Sequence, residues 1–202
     1  MTDRKKPPGR LLAASLSYAA VRAGLLITLL LMTGCTATTQ EPAIDVVEHR
    51  DAVVNLVIDT TDQLEVEGWE ASHGAATSER CTMTDGTEGA AYKFSLWADS
   101  GTDHEASVQH IGEYWESLGM DTRIEDHGGY PVVYGTGGPV QHATFDTMAA
   151  DDSYRVLAVS HCAPGDTAKL KTEFNERRRN GERFPGDEYV PEENVDDVYR
   201  NQ

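Results

Sequence analysis

The chain has no unbroken apolar run long enough to cross a bilayer. Its most apolar stretch, residues 23–32, is ten residues long, and a helix needs about 20 to span ~30 Å of hydrocarbon. An earlier patch, residues 11–20, is broken by serines and separated from the first by Arg22, so a membrane span would have to join the two. Positive charge is scarce. Seventeen Lys and Arg stand against 34 Asp and Glu, a net charge of −17. That balance argues against nucleic acid and anionic head groups as partners, and leaves a well-solvated surface or a cationic partner. Cysteine occurs only at 35, 81 and 162, without a Cys-x-x-Cys pair. A redox or zinc role therefore lacks its usual spacing. There is no Gly-x-Ser-x-Gly elbow, and the glycine run at 135–138 lacks the Lys-Ser/Thr ending of a phosphate loop. No internal repeat is present.

The N-terminus carries Arg4, Lys5, Lys6 and Arg10 ahead of the apolar core, with Asp3 the only acid before Cys35. A basic region, a 7–15-residue apolar core and small residues at its end describe a secretory signal. Met32-Thr33-Gly34-Cys35 resembles the bacterial lipobox, whose usual form is Leu, a small residue, Gly or Ala, then Cys. Met32 stands where Leu is usual, with Leu31 one residue earlier. The resemblance implies that residues 1–34 are a removed leader and that Cys35 carries the lipid. The protein would then be held at the extracytoplasmic face of the cell membrane. One acyl chain holds a protein only marginally, whereas two give durable attachment. An uncleaved anchor and plain secretion are the alternatives.

Cleavage before Cys35 removes five basic residues and one acid, which leaves 12 against 33 and a net charge of −21. It also explains an odd cysteine count: with Cys35 lipidated, Cys81 and Cys162 remain as a pair in an oxidising compartment. Residues 36–42 form a short leash, about 15 Å in r.m.s. span as a coil. The domain is thereby expected close to the membrane.

Hydrophobic periodicity outlines the rest. Ile44, Val47, Val54 and Ile58 mark a helix over residues 43–64, ended by Gly68. Residues 69–72 and 81–84 suggest short strands around a small-residue loop at 73–79. Residues 91–98 alternate as a half-buried strand, with Trp97 on its polar face. Val108, Ile111, Trp115 and Leu118 define a second helix that starts at Asp103 and closes at Gly119. Strands follow at 122–126, 130–134, 140–148 and 154–162. The last is apolar on both faces and therefore central. A short helix at 166–179 has only Leu170 and Phe174 as anchors, and residues 180–202 read as a charged, loose tail.

Two helices on one face of a mainly antiparallel sheet of four to five strands make an α+β domain over residues 43–165, with 166–202 as helix candidate and tail. This order of elements, with a lipobox before it, one cysteine ahead of the second helix and one in a late strand, resembles small actinobacterial cell-surface lipoproteins. The mycobacterial Lpp group, of unknown function, is among them. Cys35, Cys81 and Cys162 fall in the corresponding places, and the family offers no catalytic residues to carry over.

Seven histidines invite a metal site, but His104 and His110 are six apart on one helix and face different ways. His142 and His161 could meet only if their strands pair. Ser72-His73 and Ser160-His161 are neighbours in sequence alone. No cofactor, metal or catalytic group is assigned. Trp97, Tyr130 and Tyr134 could line a recognition patch, since Trp and Tyr are favoured at interfaces; alternatively Trp97 packs under a helix or loop. The expected function is a lipid-anchored binding module of the cell envelope. An acidic inhibitor or immunity-type protein against a basic toxin or hydrolase, a carrier of a small apolar ligand, and an enzyme are the other candidates.

Overall fold

A computed structural model describes residues 46–150 and 152–191 of the 202. The leader, Cys35, the linker, residues 43–45 and residues 192–202 lie outside them. Among the described residues, three helices and six strands follow as α1 (Val46–Thr61), β1 (Thr77–Thr82), β2 (Glu88–Asp99), α2 (His104–Ser117), β3 (Asp121–Asp126), β4 (Pro131–Thr136), β5 (His142–Ala150), β6 (Ser153–Val159) and α3 (Thr167–Arg179). The strands form one antiparallel sheet in the order β1-β2-β6-β5-β4-β3. The α+β class is as expected, but there are six strands instead of four to five and three helices instead of two. None of the described helices is long and apolar enough to cross a membrane.

The topology is a hairpin plus a returning meander. After β2, α2 carries the chain to the far edge at β3. Strands β4, β5 and β6 then step back until β6 pairs with β2. β6 is accordingly central, as its two apolar faces imply. β1 begins at Thr77, inside the segment expected as a loop, because small side chains there serve packing. Ser78 is buried and its Oγ donates to the carbonyl of Thr167 at 3.1 Å, so α3 can approach closely. The expected strand at 69–72 shrinks to a single bridge between Glu70 and Trp97.

β4 likewise runs on through Gly135 to Thr136, past the expected strand end at residue 134. A Cβ on Gly135 would lie 2.9 Å from both Trp115 Cε3 and Met120 Cε, so glycine is required by the indole. Val108, Ile111 and Trp115 of α2 are fully buried, as their spacing implies, and each contributes about 1.5–3 kcal/mol by leaving water. Trp115 Nε1 donates to Thr60 Oγ1 at 3.0 Å, tying α2 to α1. Leu118, expected on the same stripe, is the C-cap and is 38% exposed.

Cys81 and Cys162 are joined by a disulfide with Cα atoms 5.9 Å apart. Cys162 lies past the end of β6 instead of within a strand, and Ala163 bridges to Ala90 of β2. The bond closes a separation of 81 residues, worth about 4.5 kcal/mol on the chain-entropy account.

The domain does not stop at residue 165. Asp166 caps α3 by accepting from the backbone N–H of Ala168 and Lys169. Residues 180–190, expected as loose tail, lie back over the core as a strap. Ala71 N donates to Tyr189 O at 2.8 Å, and Val190 is buried. Gly186, at φ 89°, lies so close to the core that a Cβ built on it would be 3.1 Å from the Phe94 and Val54 side chains. Charge holds the strap. Arg178 Nε lies 3.1 Å from both carboxylate oxygens of buried Asp187. Fully buried Arg50 donates to Pro185 O at 2.9 Å and to Asp51 at 3.0 Å. The Arg50 and Arg178 guanidiniums each sit 5.1 Å from the Phe184 ring centroid. Burial, then the nearby Arg178, holds the Arg50 pKa below the usual arginine value. The tail looked loose because its apolar residues are few; its adhesion comes from arginines that sequence patterning assigns to solvent.

Replacing Asp187 with Asn leaves two buried guanidiniums without their shared counter-charge. A loss of about 3–5 kcal/mol in urea denaturation is expected, the scale for breaking a buried pair by removing one partner.

Candidate functional site

Successive side chains of a strand point to opposite faces of the sheet. Tyr92, Phe94 and Leu96 of β2, Phe145 of β5, and Tyr154, Val156 and Ala158 of β6 are buried on one face. All three helices cover that face. α1 and α2 pack into its core, and α3 meets it where Phe174 stacks edge-on to Tyr92 with centroids 5.9 Å apart. Among the described residues, the opposite face carries no helix. Its side chains form cross-strand rows, among them Trp97, Arg155, Asp146, Val132 and Glu125 in one and Ser95, Leu157, Thr144, Tyr134 and Arg123 in the next.

Trp97 and Tyr134 share this open face in neighbouring rows, on strands about 14 Å apart with two others between them. Tyr130, one residue before β4, lines a cleft of about 240 Å3 with Tyr134, His127, Val132, Asp146 and Met148. Its ring also lies 5.7 Å from His104. Trp97 belongs to a different cleft, about 330 Å3, bounded by Glu67, Gly68, Glu70, Ser72, Ala98, Asp99 and Ser153. The three aromatics therefore line two separate depressions. Trp97 is half-buried, with the Arg155 guanidinium and the His73 ring each 5.1 Å from its indole. His73 comes from the loop before β1, so the loop does cover part of the indole.

The remaining sequence candidates are accounted for. β5 and β6 pair, but His142 faces Val159, and His161 lies two residues beyond that partner. His161 instead neighbours His49, with ring centroids 6.2 Å apart. Among the described residues, no three His, Cys, Asp or Glu come together to hold a metal ion. Ser160 Oγ accepts from Tyr92 N at 2.8 Å and donates to His161 O, so it serves the backbone and not an imidazole. Ser72 Oγ lies 3.3 Å from His73 Nδ1, both exposed. Cys35 lies outside the described residues.

No protein-family profile matches the chain, and no curated protein matches it. Among solved structures, a DUF4853 family protein from Actinomyces odontolyticus is similar at a TM-score of 0.40 and 16% identity, over 61% of this chain and 67% of that one.

Ion pairs tie down the cations of the open face. Arg155 pairs with Asp146 at 3.3 Å, and Lys93 with Glu79 at 3.6 Å. Arg123 pairs with Glu125 and lies 4.1 Å over the Tyr134 ring. Partial burial, and secondarily Lys93, lower the His142 pKa, so that imidazole favours its neutral form. Glu67, Glu70 and Asp99, around the Trp97 cleft, are exposed and have no cationic partner among the described residues. Asp99 was within reach of sequence reasoning, since it lies two residues after Trp97 on the same strand face. Glu70 was not: paired backbone bonds to Trp97, 2.8 and 2.9 Å, bring it across from a distant segment.

The two faces of β6 make opposite demands on adjacent residues. Leu157→Lys, on the open face, is expected to change urea stability by less than about 1 kcal/mol, because the long stem can lie along the sheet with its charge in water. Val156→Lys puts a charge into the packed layer and is expected to prevent folding, read as loss of the cooperative denaturation transition.

Proposed function

We propose that the protein is a lipid-anchored binding module of the cell envelope, one of the small actinobacterial surface lipoproteins, and that it meets a protein partner with the open face of its sheet. The observation that carries this reading is the sheet itself. Among the described residues, six strands, about 24 Å across, have one face without a helix, and Trp97, Tyr134, Leu157 and Arg123 stand on it, partly or fully exposed. Aromatic residues and Arg are enriched where proteins meet.

Anchoring rests on Met32-Thr33-Gly34-Cys35 and is supported by the cysteine count. With Cys81 and Cys162 joined to each other, Cys35 is left without an intrachain disulfide partner. The leash of residues 36–42 then holds the domain within a few tens of ångströms of the bilayer. The net charge of −21 after cleavage favours a cationic partner.

Two measurements test the two halves of this reading. Cells fed labelled palmitate should transfer label to the wild-type chain and not to Cys35→Ala; equal labelling of both would remove the anchor. A photo-crosslinking residue at position 157 should give a discrete protein adduct in intact cells, whereas one at position 113, exposed on α2, should not. Equal adducts at both positions, or none at 157, would remove the open face as the contact surface.

A further inference from the structure

We propose that two copies of this chain associate edge to edge through β3, across a two-fold axis at Ile124, so that two six-stranded sheets become one. This goes beyond the open-face reading and does not depend on it. Among the described residues, β3 ends the sheet and pairs only with β4. Alternate N–H and C=O groups of an edge strand point outward unpaired, which makes it a template for another strand. Charged side chains ordinarily blunt such an edge, and β3 is charged: Asp121-Thr122-Arg123-Ile124-Glu125-Asp126, followed by His127. Here the order of the charges makes the strand complementary to itself.

Laid antiparallel on its copy about Ile124, β3 sets Arg123 opposite the partner's Glu125, Asp121 opposite the partner's His127, and Thr122 opposite the partner's Asp126. The two-fold repeats each pair. Ile124, an apolar side chain left 37% exposed, meets its own copy. Facing residues of antiparallel strands lie on one side of the sheet, with Cα atoms about 4.5–5.5 Å apart. Arg123 and Glu125 stand on the open face, across from Tyr134 and Val132 of β4, so they meet as cross-strand ion pairs. His127 is on that side too, its Nε2 3.7 Å from Glu125 Oε2. Arg123 already pairs with Glu125 of its own strand, and between copies the two pairs join into one row of alternating sign. Other registers fail. An axis at Arg123 or Glu125 opposes like charges, and one at Thr122 or Asp126 shortens the overlap. An axis between two residues would set outward backbone groups against inward ones. β1, the other edge, lacks this symmetry: about its centre it opposes Glu79 to Glu79 or Arg80 to Arg80. The helix layer leaves room, since Trp115 of α2 covers Gly135 of β4, inboard of the edge. Two copies of α2 stand about 14 Å apart, three strand spacings and more than one helix diameter.

The test weighs the full-length chain, extracted in density-matched detergent, by sedimentation equilibrium. Salt near 0.15 M screens the repulsion between two acidic copies beyond about 8 Å. The wild-type chain should show a monomer–dimer equilibrium. Arg123→Glu sets Glu against Glu twice and should raise the dissociation constant about tenfold or more. Adding Glu125→Arg to that variant reverses both members of each pair and should restore the constant to within about threefold. Arg80→Glu, the same change of charge on β1, should alter it less than about twofold. Mild oxidation should link two copies of Ile124→Cys through position 124, and should not link Glu48→Cys, exposed on α1. A chain that stays monomeric, a dimer unmoved by Arg123→Glu, or a double variant no tighter than the single one would overturn the edge pairing. Equal weakening by Arg80→Glu would reduce the effect to bulk charge and overturn it as well. Failure of the 124 link, or equal linking at 48, would overturn the two-fold at Ile124. The open-face reading rests on adducts to another protein, so it stands or falls separately.

Discussion

One-sided burial governs this molecule. A strand alternates its side chains between two faces, and here all three helices are spent on the same face. The choice is enforced at α2, whose indole at Trp115 needs the bare backbone of Gly135 beneath it and the hydroxyl of Thr60 beside it. With that helix seated, β3 to β6 have to return along the sheet, and their alternate residues are committed to the uncovered side. Register leaves no freedom, because a slip of one residue would put Arg155 and Asp146 in the core and Val156 in water.

The uncovered side is where the chemistry of recognition can act. Its cations are tied to local acids and aromatic rings: Arg155 to Asp146 and Trp97, Lys93 to Glu79, and Arg123 to Glu125 and Tyr134. Rigidity itself comes from elsewhere. The disulfide holds β1 to the segment after β6, and the strap of residues 180–190 closes over α1 and β2 through Arg50, Arg178 and Asp187. A binding surface whose sheet is braced from behind loses little conformational freedom on association, which is favourable for affinity.

Much of the layout was legible in the chain. The α2 stripe of Val108, Ile111 and Trp115, the alternation through β2 and the central position of β6 all follow from spacing. Boundaries were less legible where a residue serves a distant neighbour. Gly135 looks like a turn until Trp115 is placed against it, and Ser78 looks like loop composition until α3 rests on it. The strap escaped for the same reason: Arg50 and Arg178 look solvated in sequence, and only the convergence of α1, α3 and the 184–187 segment creates a place where guanidiniums are buried against phenyl rings. Of the expected patch, Trp97 and Tyr134 do share a face, but the strands between them set them in separate clefts.

By itself the sequence determined the class of fold, the acidity of the surface and which cysteines could pair, because those depend on composition and on periodicities of two and 3.6 residues that act within a few positions. Only the tertiary structure decided which side of the sheet the described helices leave open, that residues 180–190 pack on the core, and that Glu70 stands beside Trp97. Each of these joins residues far apart in the chain, and no local pattern records which distant partner a backbone bond or a buried charge will find.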